Sequence, residues 1–467
     1  MNKEKLYGIT FALSFVLPLL PGATPARAGE ADIILPDLHH VSFSVFGSVL
    51  GGIHIMYFGL VVCLLGLVFG LVQSSQTKNL PAHGTMLKMS DIIWETCKSY
   101  LAQQGKFLVA LWVLIAVCIT YYFGTLQRAP FFNIAVILLC SILGILGSYG
   151  VAWFGMRINT RANSRTAFAS LRGHPVEVIT IPLRSGMSVG LLLVSVELFF
   201  MISILVFLPK ELVGPCFIGF AIGESLGASA LRICGGIFTK IADIGSDLMK
   251  IVFHLPEDDP KNPGVIADCT GDNAGDSVGP TADGFETYGV TGVALVAFLA
   301  LALEPVMAGT LIIWIFAMRI LMILTSIVSY FINSGITQAA FGDKKKFSFE
   351  QPLTNLIRIT SAMSIAVTFG ATYLLLGSLP DPRYASLWWA LSIIISCGTV
   401  AGALIPELTK VFTSTSSRHV KEVVASARQG GASLDVLSGF VAGNYSAFWE
   451  GLVILVFMFV AYLVSMN

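Results

Sequence analysis

Ten of the chain's 28 acidic residues fall between positions 240 and 288: Asp243, Asp247, Glu257, Asp258, Asp259, Asp268, Asp272, Asp276, Asp283 and Glu286. At about 100° per residue, Arg232, Lys240, Asp243 and Asp247 share a helical arc of roughly 80°. Asp268, Asp272, Asp276, Asp283 and Glu286 share a second arc of roughly 80°. Crowded carboxylates repel one another, and some stay protonated unless cations intervene. Mg²⁺ takes carboxylate oxygens and completes its shell with phosphate and water, while lysines such as Lys240 and Lys250 meet phosphate oxygens directly. The residues therefore point to a magnesium–phosphate site. The plainer reading, helix caps and a solvated loop, competes on even terms only for Glu257, Asp258 and Asp259, which precede Pro260.

The elements that carry these acids are apolar. The 467 residues are 55% hydrophobic and 12% charged, with a mean hydropathy of +0.80; ordinary soluble domains carry about 25% charged residues. Stretches long enough to cross about 30 Å of hydrocarbon recur at 44–73, 107–127, 131–156, 185–208, 213–239, 280–303, 307–333, 358–378, 385–406 and 433–464. The expectation is an all-α, polytopic bundle of ten transmembrane spans. Lys3, Lys5, the apolar run Ile9 to Leu20 and Ala26-Arg27-Ala28 read as a cleaved signal peptide over 1–28, leaving a membrane domain at 29–467. Odd-numbered loops hold 20 Lys and Arg against three in the even-numbered ones, so the odd loops are cytoplasmic and the mature N-terminus is outside.

This frame puts the acidic stripe at the cytoplasmic mouth of the sixth span and continues it inward. With about 1.5 Å rise per residue, Asp283 lies roughly 10 Å deeper than Asp276 and Glu286 roughly 15 Å deeper. Carboxylates at membrane depth mark ion or substrate paths. Gly271, Gly275 and Gly279 recur every fourth residue, a spacing that lets a neighbouring helix approach, and Pro280 is expected to kink the helix. Arg319, inside the seventh span, is read as pairing with Glu304 or packing between helices. The eight cysteines form no C-x-x-C pair and the seven histidines no H-x-x-x-H pair. Zero net charge argues against a nucleic-acid partner. The absence of a G-x-x-x-x-G-K-[ST] loop argues against an ATP-driven pump.

The segment from Arg232 through Lys240 and Asp243 to Asp247 (RICGGIFTKIADIGSD) resembles the R-x-G-G-G-I-[FY]-T-K-A-A-D-V-G-A-D signature of membrane-integral pyrophosphatases. Residues 256–263 (PEDDPKNP) and 268–276 (DCTGDNAGD) resemble that family's P-E-D-D-P-R-N-P and D-N-V-G-D-N-V-G-D. Residues 282–288 (ADGFETY) are similar to its A-D-L-F-E-[ST]-Y, and weaker echoes occur at Arg157–Arg165, Arg184–Gly186 and Glu407–Arg418. The resemblance implies a pump that hydrolyses pyrophosphate and exports H⁺ or Na⁺ across a plasma (inner) membrane, with its substrate site cytoplasmic in segment 232–288. It implies that Lys240, Lys250 and Glu257 contact substrate. Asp243, Asp247, Asp268, Asp272, Asn273 and Asp276 would hold Mg²⁺. Asp276 and Lys240 would act in catalysis, Asp276 as a carboxylate positioning the attacking water. Arg232, Asp283, Glu286 and Glu407 would belong to the ion gate, with K⁺ or Na⁺ as a further activator.

Three departures qualify the match. The family's G-K-V-E is replaced by Met249-Lys250-Ile251-Val252-Phe253, which keeps the lysine and loses the glutamate. The approach to Asp283 carries Pro280. The family has about sixteen spans, and this chain holds ten, so four of its six inner helices have no counterpart here. The expectation is the N-terminal two-thirds of a pyrophosphate-energised pump, incomplete alone, working as a homodimer or with a separately encoded C-terminal half. The alternatives are a non-catalytic subunit, or a cation channel or secondary transporter that uses the Asp276–Glu286 stripe without hydrolysis.

Overall fold

The computed structural model describes residues 35–466 apart from 46, 174, 257–261, 263, 345, 380 and 382–383, and apart from the side chains of Val45 and Asp276. The signal-peptide reading over 1–28 and the Glu257 assignment lie outside the described residues. Among the described residues, ten helices of at least 27 residues follow one another: α1 (Gly52–Lys78), α2 (Gly84–Tyr121), α3 (Phe131–Ser170), α4 (Pro175–Phe207), α5 (Lys210–Phe253), α6 (Gly264–Ala302), α7 (Pro305–Phe341), α8 (Glu350–Leu376), α9 (Leu387–Thr413) and α10 (Arg418–Ser465). Among the described residues, nine segments are long and apolar enough to cross a membrane. The last of them, Leu387–Met466, contains both α9 and α10, separated by non-helical residues 414–417. Each of the ten sequence spans thus falls on its own helix.

The first span starts later than its apolar run suggests. Ser42–Val45 and Ser48–Gly51 form an antiparallel hairpin, with Ser42 opposite Gly51 and Val45 opposite Ser48. Ser and apolar residues alternate over Ser42–Val45, the two-residue period of a strand, and Gly47 turns the chain at φ +78°, a conformation open to glycine. Hydropathy sees the apolar half of this pattern and misses its period.

Several helices outrun the bilayer. At about 1.5 Å per residue, the 44 residues of α5 extend roughly 66 Å, about twice the hydrocarbon thickness. The apolar stretch ends near residue 239, and the first turns of α6 pack beside the Lys240–Phe253 part of α5. The backbone of α6 remains helical through Pro280.

Close packing of small residues fixes α5 and α6 against each other and against α3. A methyl on Gly223 of α5 would strike the backbone carbonyl of Ser141 on α3. On the other side, a methyl on Gly271 of α6 would lie 2.9 Å from Thr239 Cα on α5. Thr239 Oγ1 donates to the Gly271 carbonyl at 2.5 Å across that crossing. Phe285, fully buried, points α6 into α3 beside Gly147. The main apolar core joins α1, α4 and α7 to the inner parts of α3 and α5, and a second cluster joins α2, α3, α5 and α6. By contrast, α10 buries none of its described residues, and α9 buries only Ser392 and Cys397 among those described. At the opposite end of α5, Lys210 Nζ donates to Asp37 Oδ2 at 2.7 Å. That contact, helped by the His39 amide at 3.0 Å, holds the Asp37 carboxyl below its ordinary range.

Candidate functional site

The end of α5 from Lys240 onward and the first turns of α6 form the acidic site. Helical spacing alone puts Lys240 and Asp243 on one side of α5, and Lys240 Nζ donates to Asp243 Oδ2 at 2.8 Å. The α5–α6 crossing at Thr239 and Gly271 then sets Asp243 against Asp268 and Asp272. Each of these three contributes one carboxylate oxygen, and the three oxygens lie within 4.8 Å of one another. A hard cation that binds oxygen at about 2.0–2.6 Å spans such a triangle. Three carboxylates held this close also create the strong local negative potential that a divalent cation neutralises.

The remaining assigned residues are placed as follows. Asp247 and Lys250 are exposed one and two turns further along α5. Asn273 faces α3: Asn163 Nδ2 donates to its Oδ1 at 3.1 Å, and its own Nδ2 donates to the Cys269 carbonyl at 2.7 Å. Asp276 lies on α6 between Asp272 and Asp283, and its side chain is outside the described set. Deeper in the bundle, Arg232 of α5 forms an ion pair with Asp283 of α6. The pair closes the polar stripe 11 residues below Asp272, about 16 Å of helix rise. Glu286 follows one turn further in.

Glu407 stands apart from this stripe. It pairs with Lys410 at 2.8 Å on α9, and Lys410 also donates to Thr354 of α8. Arg319 does not meet Glu304, which caps the far end of the same helix. It lies over the Tyr288 ring at 4.1 Å instead. The echoes on α3 and α4 join a polar seam to α6. Ser185 Oγ donates to Asn159 Oδ1 and Asn159 Nδ2 donates to Ser277 Oγ, both at 2.7 Å. Arg165 Nη2 donates to the Lys78 carbonyl at 2.9 Å.

Two buried carboxylates, Glu197 on α4 and Glu224 on α5, had no place in the sequence reading. Each is a lone acid in a long apolar span, and that isolation inside hydrocarbon was the signal available.

The long apolar helices, with a polar stripe running from the clustered carboxylates to the Arg232–Asp283 pair, define a multi-pass membrane helix bundle. The family model described as inorganic H⁺ pyrophosphatase matches residues 64–466, and the chain belongs to that family. It is 59% identical over 406 residues to the K⁺-insensitive pyrophosphate-energized proton pump of Chlorobaculum tepidum, an alignment covering 87% of this chain and 54% of that protein. The pump of the same description from Caldanaerobacter subterraneus subsp. tengcongensis is 28% identical over 426 residues, 87% of this chain and 58% of its own length. A putative K⁺-stimulated pyrophosphate-energized sodium pump of Clostridium tetani is 27% identical over 404 residues, 86% of this chain and 55% of its own length. The chain thus spans about half the length of the curated relatives it matches.

Proposed function

We propose that this chain forms the α5–α6 wall of a pyrophosphate-energised cation pump in a cell membrane, with the mature N-terminus outside and the acidic site cytoplasmic. The observation that carries the reading is the Asp243–Asp268–Asp272 oxygen triangle with Lys240 beside it, in line with the Arg232–Asp283 pair below. Asp243, Asp268 and Asp272, with Asp276 and Asp247 adjacent, would hold Mg²⁺, which when bound neutralises phosphate charge and lowers the pKa of its water. Phosphoryl transfer to water is chiefly positioning and charge stabilisation. Lys240 supplies a fixed positive charge for a phosphate oxygen, and Lys250 and Glu257 extend the substrate-binding rim. Asp276 orients the attacking water and takes its proton. Arg232, Asp283 and Glu286 form the gate that this added charge biases, because a ligand shifts an equilibrium only through contacts that differ between its states.

The name of the Chlorobaculum relative supports H⁺ as the exported ion without K⁺ activation. Sodium export, on the Clostridium relative's name, is the second reading. All three clustered carboxylates come from two adjacent helices, which leaves their other flank for a second copy or a further polypeptide that completes the catalyst.

The test is Mg²⁺-dependent phosphate release and proton uptake in inverted vesicles. The chain is expressed alone and together with the C-terminal half of the Chlorobaculum relative, each beside an Asp243→Asn control. Pyrophosphate-driven proton uptake that Asp243→Asn abolishes supports the reading. Gradient-driven flux indifferent to pyrophosphate overturns it in favour of a channel or secondary transporter.

A further inference from the structure

Beyond Glu286, toward the outer surface, the ion stripe meets a second group of charges. Glu197 of α4 and Glu224 of α5 are each 0% exposed, and none of their four carboxylate oxygens has a hydrogen-bond donor among the described residues. The two face one another across Gly289 of α6, where a methyl would strike oxygens of both. Gly289 lies about 4.5 Å of helix rise past Glu286. One turn further along α6, a methyl on Gly292 would lie 2.6 Å and 2.8 Å from Nη1 and Nη2 of Arg319. Arg319 stacks on Tyr288 at 4.1 Å and donates from Nη1 to Met201 Sδ at 3.4 Å. It makes no ion pair within 4.0 Å among the described residues. The titratable groups facing the pair are Glu286 and Tyr288 on α6, Arg319 on α7 and, behind Tyr288, Cys63 on α1.

Charge counting leads to one protonation state. Two ionised carboxylates beside one guanidinium leave a net negative charge inside the bilayer, where uncompensated charge is costly. Adjacent like charges without donors do not both ionise. One proton shared by the two acids makes the group neutral.

We propose that Glu197 and Glu224 hold a single proton between them with Arg319 as counter-charge, a second proton site outward of Glu286. Only its place on an export path rests on the pump reading. There, a proton released from the Glu286 carboxyl bonds to the ionised member of the pair. The group then carries two protons and a net positive charge with Arg319, which favours loss of one proton outward. Gly289 is the position that leaves room for both carboxyls at this point of α6.

The test is infrared difference spectroscopy of the purified chain in H₂O and D₂O, which reads the deuterium-sensitive C=O stretch of protonated carboxyls. Glu197→Gln, Glu224→Gln and the double variant should each remove the same intensity, one carboxyl. With one acid replaced, the survivor ionises against Arg319. Arg319→Gln should double that intensity, because neither acid then has a counter-charge. This gain of signal keeps the test decisive if the glutamine variants fold poorly. Three results overturn the proposal: single variants that each remove half of what the double removes, no change in Arg319→Gln, or a band that disappears when NaCl replaces choline chloride. Normal spectra without pyrophosphate-driven transport would sink the pump reading and leave the proton site standing.

Discussion

Gly271→Ala should weaken cation binding at the acidic site although residue 271 carries no ligand. Its methyl would lie 2.9 Å from Thr239 Cα, whereas carbon atoms pack at about 3.5–4.0 Å. The two helices must therefore separate by about 1 Å at the crossing. Overpacking of this kind costs about 1–3 kcal/mol, and stretching the 2.5 Å Thr239–Gly271 hydrogen bond forfeits about 1 kcal/mol more. Replacing a helical glycine by alanine returns about 1 kcal/mol. The net loss is about 1–3 kcal/mol, borne at the contact that holds Asp243 of α5 against Asp268 and Asp272 of α6. An affinity about tenfold lower corresponds to about 1.4 kcal/mol. The assay is calorimetric titration of the purified chain with Mg²⁺. Gly279→Ala is the control, since nothing lies within 4 Å of a methyl there; it should bind as the unsubstituted chain does. Equal affinities for the two alanine variants would refute the argument that helix separation sets the site.

Three further outcomes follow from particular contacts. Gly223→Ala drives a methyl into the Ser141 carbonyl and should sharply lower the yield of folded chain in detergent, while Gly236→Ala, with nothing within 4 Å, should leave it unchanged; fluorescence-detected gel filtration compares them. Glu407→Gln weakens the contact with Lys410 on α9 and should leave Mg²⁺ affinity unchanged, because that pair touches α8 and α9 and not the α5–α6 acids. The Asp37–Lys210 contact should be visible in pH dependence. Because the folded pKa is depressed below 3.8, its stabilisation is complete above the unfolded value and disappears as pH falls through the folded one. Thermal melts from pH 7 to pH 3 should show this acid-side loss in the unsubstituted chain and a smaller one in Asp37→Asn.

The helices were legible because hydropathy responds to length and composition, and ten apolar runs became ten helices. What hydropathy cannot see is how far a polar helix continues past the lipid. The polar ends of α5 and α6 had to be inferred from the arcs of Asp243–Asp247 and Asp268–Glu286 instead. Those arcs put Asp243 on one face of α5 and Asp268 and Asp272 on one face of α6, but the meeting of the two faces depends on the crossing at Thr239 and Gly271. Of the three spaced glycines, Gly271 and Gly275 meet Thr239 and Gly279 meets nothing, a distinction that depends on where α5 passes. Glu197 and Glu224 gave only the weak signal of a lone acid in an apolar span, for a different reason. They lie on different helices without a motif, and only the packing of α4, α5 and α6 around Gly289 brings them together.

In the proposed function, the α5–α6 acids hold magnesium and a diphosphate. The most direct measurement is ³¹P NMR of methylenediphosphonate, a diphosphate that cannot be hydrolysed, titrated with the purified chain at several Mg²⁺ concentrations. Saturable, Mg²⁺-dependent line broadening that Asp243→Asn and Asp272→Asn abolish and Glu407→Gln retains is the predicted result. Broadening that survives both aspartate substitutions, or that needs no Mg²⁺, would contradict the claim.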